Sequence, residues 1–588
     1  MGGVAILVTI VAVWIGYKFY AAKIDRSVIK ADAAKATPAK MYNDGVDFMP
    51  ASSSVLFGYQ FKSIAALGPI VGPIVAVQWG WLPAILWLIL GVFFIGWIQD
   101  YASAVMAMRN DGLTMGGLSY KLISPRARTI LLSFLYFYLL LIMGAFGAIV
   151  AGLFANPKVP FGFIILTAAG VLAGQMTYKW RKDLVVTTLF TVALAVFGIW
   201  LGTTGPFQSI VSAINGGKDS FILYATPYGP MKWSVFFWGI VVLGFCYLGS
   251  VLPIWRFAQP VNYVAFWLVL TGIVGSIIGI FFRMPSFGDF PAFTGFMAKG
   301  IIAPGFDTPL WPILFVTIAC GAISGWHSLV STSGTARQLE KETDALPVGA
   351  GSMFTECVLG VLSVTFAITA FAGAKGNMGG YFDALKAGGP AGVFANGMAS
   401  YLNVLGIATD FGVAFGSAFL VIMALTVMQL VLRFMRVASS ELVGGTIPAF
   451  KNVHFGTTVG ILLTLLLMWT GFWSRIWILF GGSNQLFASL ALVLITIWLA
   501  QTGKSYLWAF WPAAFMYVTT VAALIVTAWV SLQAAFTPGL KAAFIFGNLV
   551  AAVIGISLTI LSLILAWDAL RAFNKARTAT LRPAAARA

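Results

Sequence analysis

The chain has 588 residues, 60% hydrophobic and only 9% charged, with three cysteines and a formal net charge of +17. A soluble domain carries about 25% charged residues, so this composition excludes a soluble globular protein and predicts an all-α integral membrane protein. Cys246, Cys320 and Cys357 fall in apolar runs without the paired spacing of a disulfide framework or a metal site, and read as small buried hydrophobes.

Apolar runs near the 20-residue length that crosses about 30 Å of hydrocarbon recur from end to end. About fifteen spans are expected, centred near residues 12, 67, 95, 140, 167, 193, 242, 272, 320, 361, 421, 463, 487, 518 and 556. The first, GVAILVTIVAVWIGYKFY, lacks a basic leader and a small-residue cleavage site, so it reads as a retained helix. Residues 23–51 read as a polar cytoplasmic linker. The longer outer loops, at about 204–231, 283–309 and 374–408, hold no run of strands that would make a soluble domain, and the last dozen residues read as a disordered basic tail.

The positive charge is a topology signal rather than a nucleic-acid footprint. With the N-terminus outside and the C-terminus in the cytoplasm, 26 of the 35 Lys and Arg fall on the inner side, Lys62, Arg109, Arg256 and Arg433 among them. That is the bias of the positive-inside rule. It implies anionic membrane lipid, and no nucleic acid, as the partner of the basic surface.

Two spans are interrupted. FGYQFKSIAALGPIVGPIVAVQWG places Pro69 and Pro73 beside Gly68 and Gly72, and each proline removes a backbone donor. The ninth span dissolves into GAISGWHSLVSTSGT, residues 321–335, where Gly321, Gly325 and Gly334 let the backbone unwind and Ser324 and Ser328 offer hydroxyls. Irregular backbone at membrane depth is tolerated only inside protein or along a water-filled cavity. Seven steps separate the two spans, so they enter the bilayer from opposite sides. Such a pair points to a secondary transporter with inverted repeats and a midplane binding site. Two five-helix repeats follow, at 53–203 and 310–499, with the first helix and linker at 1–52, an inserted helix pair at 204–309 and C-terminal helices with the tail at 500–588. The competing reading is that the small residues only let helices pack closely.

His327 is the one histidine inside an expected span, and its ordinary pKa near 6.5 suits a proton carrier; the plain alternative is a neutral imidazole bonded to a carbonyl. Asp100 lies nine residues before Arg109, about 13 Å inward along a helix, and Glu356 is similarly deep. Ionisable groups at that depth are candidates for function, the alternative for Asp100 being a pair with Lys62, Arg256 or Arg433. Tyr59 and Gln60 precede the proline break as candidates for its entrance or for helix packing. Asn484 and Gln485, in LFGGSNQLFASLAL, are either solute ligands or interhelical glue. Glu340, Lys341, Glu342 and Asp344 in TARQLEKETDALP, residues 335–347, are expected on the solvated face of a short surface helix. No nucleotide-binding loop, nucleophile elbow, HExxH or dinucleotide fingerprint occurs. Neither an enzyme nor an ATP-driven pump is therefore expected, and no cofactor or metal.

The long motifs DGVDFMPASSSVLFGYQFKSIAALGPIVGPIVAVQWGWLP (44–83) and TIACGAISGWHSLVSTSGTARQLEKETDALPVGAGSMFTE (317–356) resemble the carbon starvation protein A family, as do GWIQDYASAVMAMRNDG (96–112) and FGGSNQLFASLAL (480–492). The likeness covers roughly residues 44–500. It implies inner-membrane uptake of scavenged carbon, as short peptides or pyruvate, the latter with proton symport. It also implies a core related to the amino acid–polyamine–organocation transporters. Gly68, Pro69, Gly72, Pro73, Asp100, Ser324, Gly325, His327, Glu356, Asn484 and Gln485 stand at family positions. Where the family commonly reads FGHHF this chain reads FGYQF, with Tyr59 and Gln60 in place of two histidines, so either coupling rests more on His327 and the carboxylates or the substrate differs.

The sequence reading is thus a transporter of a small carboxylated nutrient. Tyr59, Gln60, Gly68, Pro69, Gly72, Pro73, Gly321, Ser324, Gly325, Ser328, Asn484 and Gln485 are the candidate substrate site, and His327, Asp100 and Glu356 the proton-coupling groups. Sodium is the rival coupling ion, since carbonyls and hydroxyls at a broken helix suit it. A channel, or a membrane sensor without flux, is the rival function.

Overall fold

A computed structural model describes residues 1–217, 220–369 and 377–585. Thirteen helices among them are long and apolar enough to cross a membrane, and the pair Ser53–Ile64 and Gly68–Trp79 forms a fourteenth crossing bent by 45°. The interrupted pair Leu310–Thr317 and Gly325–Ser333, with each half too short to cross alone, stands where the ninth apolar run is expected. Burial sorts them. Thr409–Val443 and Glu342–Thr369 are 89% buried and Trp473–Gln501 is 83% buried, whereas Leu184–Gly202 and Val453–Thr470 are 28% buried. A bilayer leaves apolar side chains on the outer helices at no cost, so only the central helices need be enclosed on every side.

The helices that build the interior are labelled α1 (Ser53–Ile64), α2 (Gly68–Ala76), α3 (Trp97–Met108), α4 (Pro125–Phe154), α5 (Leu310–Thr317), α6 (Gly325–Ser333), α7 (Gly351–Thr369), α8 (Thr409–Val443) and α9 (Phe480–Gln501). In the first broken span the interruption is Ala65–Leu67, ahead of the glycines and prolines expected to cause it. Pro69 sits in the first turn of α2, where its missing N–H leaves no intrahelical bond unmade. In the second broken span, residues 318–324 separate α5 from α6. Of the three glycines expected to unwind it, only Gly321 lies in the break. Gly325 opens α6 and Gly334 closes it.

Several peripheral expectations are corrected. Residues 23–51 are not a free linker: Met49 and Ala51 N–H groups donate to the carbonyls of Arg337 and Gln338, and the Asp32 N–H donates to Glu342. Residues 335–347 form short turns rather than a surface helix, and Glu342 is buried against Arg109 at 2.5 Å, so it has no solvated face. Lys62, counted among the inner-loop cations, is fully buried in the last turn of α1. The outer segment expected as loop at 374–408 carries the helix Met378–Val404, broken at Gly389; residues 374–376 lie outside the described residues. Two small hairpins, Ile222–Thr226 with Gly229–Lys232 and Met297–Lys299 with Asp307–Pro309, cover the other two outer loops. The C-terminal helix runs to Ala585 where a disordered tail is expected, residues 586–588 lying outside the described residues.

Candidate substrate and proton site

The two broken spans lie against each other and run in opposite directions, which the residue pairing shows. Tyr59 lies against Gly334, Gln60 Nε2 donates to Ser331 Oγ at 3.0 Å, and Trp326 Nε1 donates to the Ser63 carbonyl at 2.6 Å. Further along, Gly68 faces Cys320 and Gly72 faces Thr317. Numbers rise along one span as they fall along the other. Added methyl groups would sit 2.3 Å from Cys320 Sγ and 2.3 Å from the Thr317 carbonyl oxygen, so glycine is what lets the two breaks meet.

The second break is held open by α9. Asn484 Oδ1 accepts from Tyr138 OH of α4 at 2.7 Å, from Ser324 Oγ at 3.1 Å and from the Trp326 N–H at 3.2 Å. Gln485 Nε2 donates to the Ile323 carbonyl at 2.9 Å. On the other side Gln99 of α3 donates to the Ser324 carbonyl at 2.6 Å and to Ser328 Oγ at 2.7 Å. Buried backbone groups freed from a helix need such partners. Asn484, Gln485 and Gln99 therefore brace the unwound backbone, Ser324 bonding to Asn484 and Ser328 to Gln99. Gln60 is engaged likewise, its Oε1 accepting from Thr335 Oγ1.

His327 of α6 meets two buried carboxylates. His327 Nδ1 stands 3.2 Å from Asp100 Oδ2, and Nε2 stands 3.3 Å from Glu356 Oε2, all three side chains being wholly buried. The sequence pairing of Asp100 with an inner-surface Lys or Arg gives way to His327. Lys62, also fully buried, acts electrostatically on Glu356. Counted with both carboxylates ionised and Lys62 protonated, a protonated His327 brings the four groups to neutrality and a neutral one leaves a single negative charge. Burial makes that difference large, because an uncompensated interior charge costs several kcal/mol.

A cavity of about 170 Å³ opens on the other side of the breaks. Gly68 and Gly72 line it with Thr317, Phe146, Trp477 and Phe480. Among the candidate substrate residues these two glycines alone line this cavity; Pro69 and Pro73 are buried in α2, Gly321 lies against Leu88 and Pro69, and Gly325 lies against the Asn484 carbonyl. Sequence reasoning missed Gln99, Thr317 and the three aromatics. The Gln-Asp dipeptide at 99–100 was the available signal for Gln99, a second polar side chain beside the one already singled out.

Antiparallel broken spans packed beside a buried histidine between two carboxylates and a small cavity define a polytopic α-helical membrane protein of the broken-helix class. The chain belongs to the carbon starvation protein CstA family, whose pattern matches residues 1–379 and 377–523. It is 29% identical to the peptide transporter CstA of Escherichia coli strain K12, over 90% of this chain and 81% of that protein. It is 28% identical to the pyruvate/proton symporter BtsT of the same strain, over 88% and 81%. The peptide transporter CstA of Bacillus subtilis strain 168 is 28% identical over 86% and 87%. Among solved structures, MhsT in complex with L-phenylalanine aligns with 88% of this chain and 99% of its own at 13% identity and a TM-score of 0.42.

Proposed function

We propose that this protein is a proton-coupled secondary transporter importing a small carboxylated nutrient, a short peptide or a pyruvate-like acid. The observation that carries the reading is the fully buried His327 between Asp100 and Glu356, on the half-helix that begins at the second break. The two half-helices that follow a break, α2 and α6, bring the positive ends of their dipoles to the midplane from opposite sides, where a carboxylate is favoured. The cavity beside Gly68 and Gly72 receives the solute, its aromatic walls packing the apolar part. Protonation of His327 neutralises the cluster and lets the bundle close; loss of the proton leaves a buried negative charge that favours the other access state. The names of the relatives, peptide transporters and a pyruvate/proton symporter, support this substrate class.

The antiparallel pairing of the broken spans supports inverted five-helix repeats at 53–203 and 310–499, which rock against each other around the site. The charge bias supports an N-terminus outside and a C-terminus in the cytoplasm of a cell inner membrane, and moving Lys62 into the interior lowers the inner count by only one.

The test is uptake of labelled pyruvate and a panel of di- and tripeptides into proteoliposomes under a proton gradient, a sodium gradient or neither. Saturable uptake that needs the proton gradient and is lost in His327→Ala supports the proposal. Folded protein that moves no solute under any gradient overturns it in favour of a sensor, and flux orders of magnitude faster than carrier turnover would make it a channel.

A further inference from the structure

We infer that Lys62 is a resident cation: its ammonium fills the place at the first helix break where a coupling sodium ion would otherwise bind. The inference rests on the transport reading above and names its coupling ion, leaving the proton as the only one.

Lysine is almost never fully buried without a charged partner. Lys62 is fully buried, and among the described residues it forms no ion pair within 4.0 Å. Its Nζ instead donates to two backbone carbonyls, Ala65 at 3.0 Å and Met423 at 3.4 Å. Ala65 is the first residue past the end of α1, where the backbone turns extended and the carbonyls of the last turn lose their helical donors. Met423 lies in the interior of α8, the 35-residue helix packed at the centre of the protein. Carbonyl oxygens from an unwound helix end, facing a neighbouring helix, are the kind of donor set that holds sodium in broken-helix carriers. Here a tethered ammonium of the same charge takes those oxygens and cannot leave.

The neighbouring charges bear on the same site. Burial works against positive charge on Lys62, and the Glu356 carboxylate of α7 works for it. Glu356 in turn lies 3.3 Å from His327 of α6, which lies 3.2 Å from Asp100 of α3. His327 is therefore the group of this cluster left to exchange a proton while the Lys62 side chain occupies the carbonyl oxygens.

The purified full-length protein tests this by melting temperature in NaCl against choline chloride at equal ionic strength, which needs no substrate. The wild type is expected to melt at the same temperature in both salts. Lys62→Ala is expected to melt lower in choline chloride and to regain about 5 °C, saturably, in NaCl, as a ligand bound only by the folded state does. If Lys62→Ala does not fold, Lys62→Gln and Lys62→Arg take its place, the first expected to gain sodium sensitivity and the second not. Saturable sodium stabilisation of the wild type, or folded charge-removed variants indifferent to sodium, overturns the inference. A wild type that moves no solute in proteoliposomes but shows the expected salt pattern would instead sink the transport reading and leave Lys62 as the occupant of the site.

Discussion

The Cα of Gly72 rests against the carbonyl oxygen of Thr317, so closely that a methyl group on Gly72 would lie 2.3 Å from that oxygen. This contact and that of Gly68 with Cys320, four residues earlier, set the distance between the two broken spans. The two glycines differ in what they touch. Gly72 meets backbone, which cannot yield without moving α5, whereas Gly68 meets a side chain.

Gly72→Ala should therefore abolish uptake and lower the melting temperature, and no substitution at residue 317 should restore either, since every residue there carries the same carbonyl. Gly68→Ala should show a similar loss but be partly rescued by Cys320→Gly, which removes the Sγ and Cβ that the new methyl would strike. Uptake and melting temperature of the two single variants and the double variant check this. Equal failure with and without the second substitution would show that the clash at Gly68 is not with Cys320.

His327 separates two carboxylates, so the three groups should behave as a unit. Asp100→Asn or Glu356→Gln alone removes one partner of a buried charge and should destabilise by roughly 3 kcal/mol or more. Combining either with His327→Gln should cost less than the sum, because residues in one network couple by about 0.5–3 kcal/mol. Denaturation of the single and double variants measures the coupling. Strict additivity would mean that the histidine is not charged in the folded protein.

Asn484 Oδ1 accepts three hydrogen bonds that hold the second break in place. Asn484→Ala strands Tyr138 OH, Ser324 Oγ and the Trp326 N–H, at about 1–3 kcal/mol for each donor left unsatisfied. The variant should melt well below the wild type and lose uptake, whereas Tyr138→Phe, which removes one donor together with its need for a partner, should be mild. A melting temperature unchanged in Asn484→Ala would show that the break does not depend on this brace.

Lys504 lies in the short connection between the spans Trp473–Gln501 and Leu507–Ala535, half-buried, with Nζ donating to the Ile29 carbonyl at 2.6 Å. Burial first, and the neighbouring Arg109 and Lys35 next, push its pKa down to about 8. At pH 8 about half of it is the free amine, against less than about 1% of a lysine titrating near 10.4. The sign for stability follows. The folded state holds the charged form less well than the unfolded chain does, so this group disfavours folding below pH 8, and the penalty fades as pH rises towards 10.5. Brief acylation at pH 8 followed by peptide mass spectrometry should find Lys504 modified well ahead of Lys575 and Lys541. Equal modification of the three would refute the depressed pKa.

The FGYQF stretch shows how far the sequence could be read. Its substitution of Tyr59 and Gln60 was legible, but not that Gln60 would be engaged by Ser331 and Thr335 from the other broken span. The proline-glycine run likewise announced a break near residue 70, yet the unwound residues are Ala65–Leu67, because Pro69 starts a helix as readily as it ends one. Lys62 was read as an inner-loop cation because a single lysine at the edge of an apolar run carries no mark of depth; its two carbonyl acceptors lie three and 361 residues away.

The sequence by itself determined the helical class, the many apolar crossings, the two interrupted spans and the candidates His327, Asp100 and Glu356. Those follow from local properties: the length of apolar runs, the backbone chemistry of glycine and proline, and the cost of placing an ionisable group in hydrocarbon. Only the tertiary structure decided which groups meet. It joined His327 to residues 227 positions before it and 29 after it, set Asn484 to bracing a break 160 residues away, and placed Lys62 at the end of a helix it would otherwise seem to flank. A bilayer makes nearly every apolar face an acceptable outer face, so hydropathy cannot say which helices pack together. The pairing is settled by close backbone approach at glycines and by the need of each buried polar group for a partner, and both depend on residues far apart in the chain.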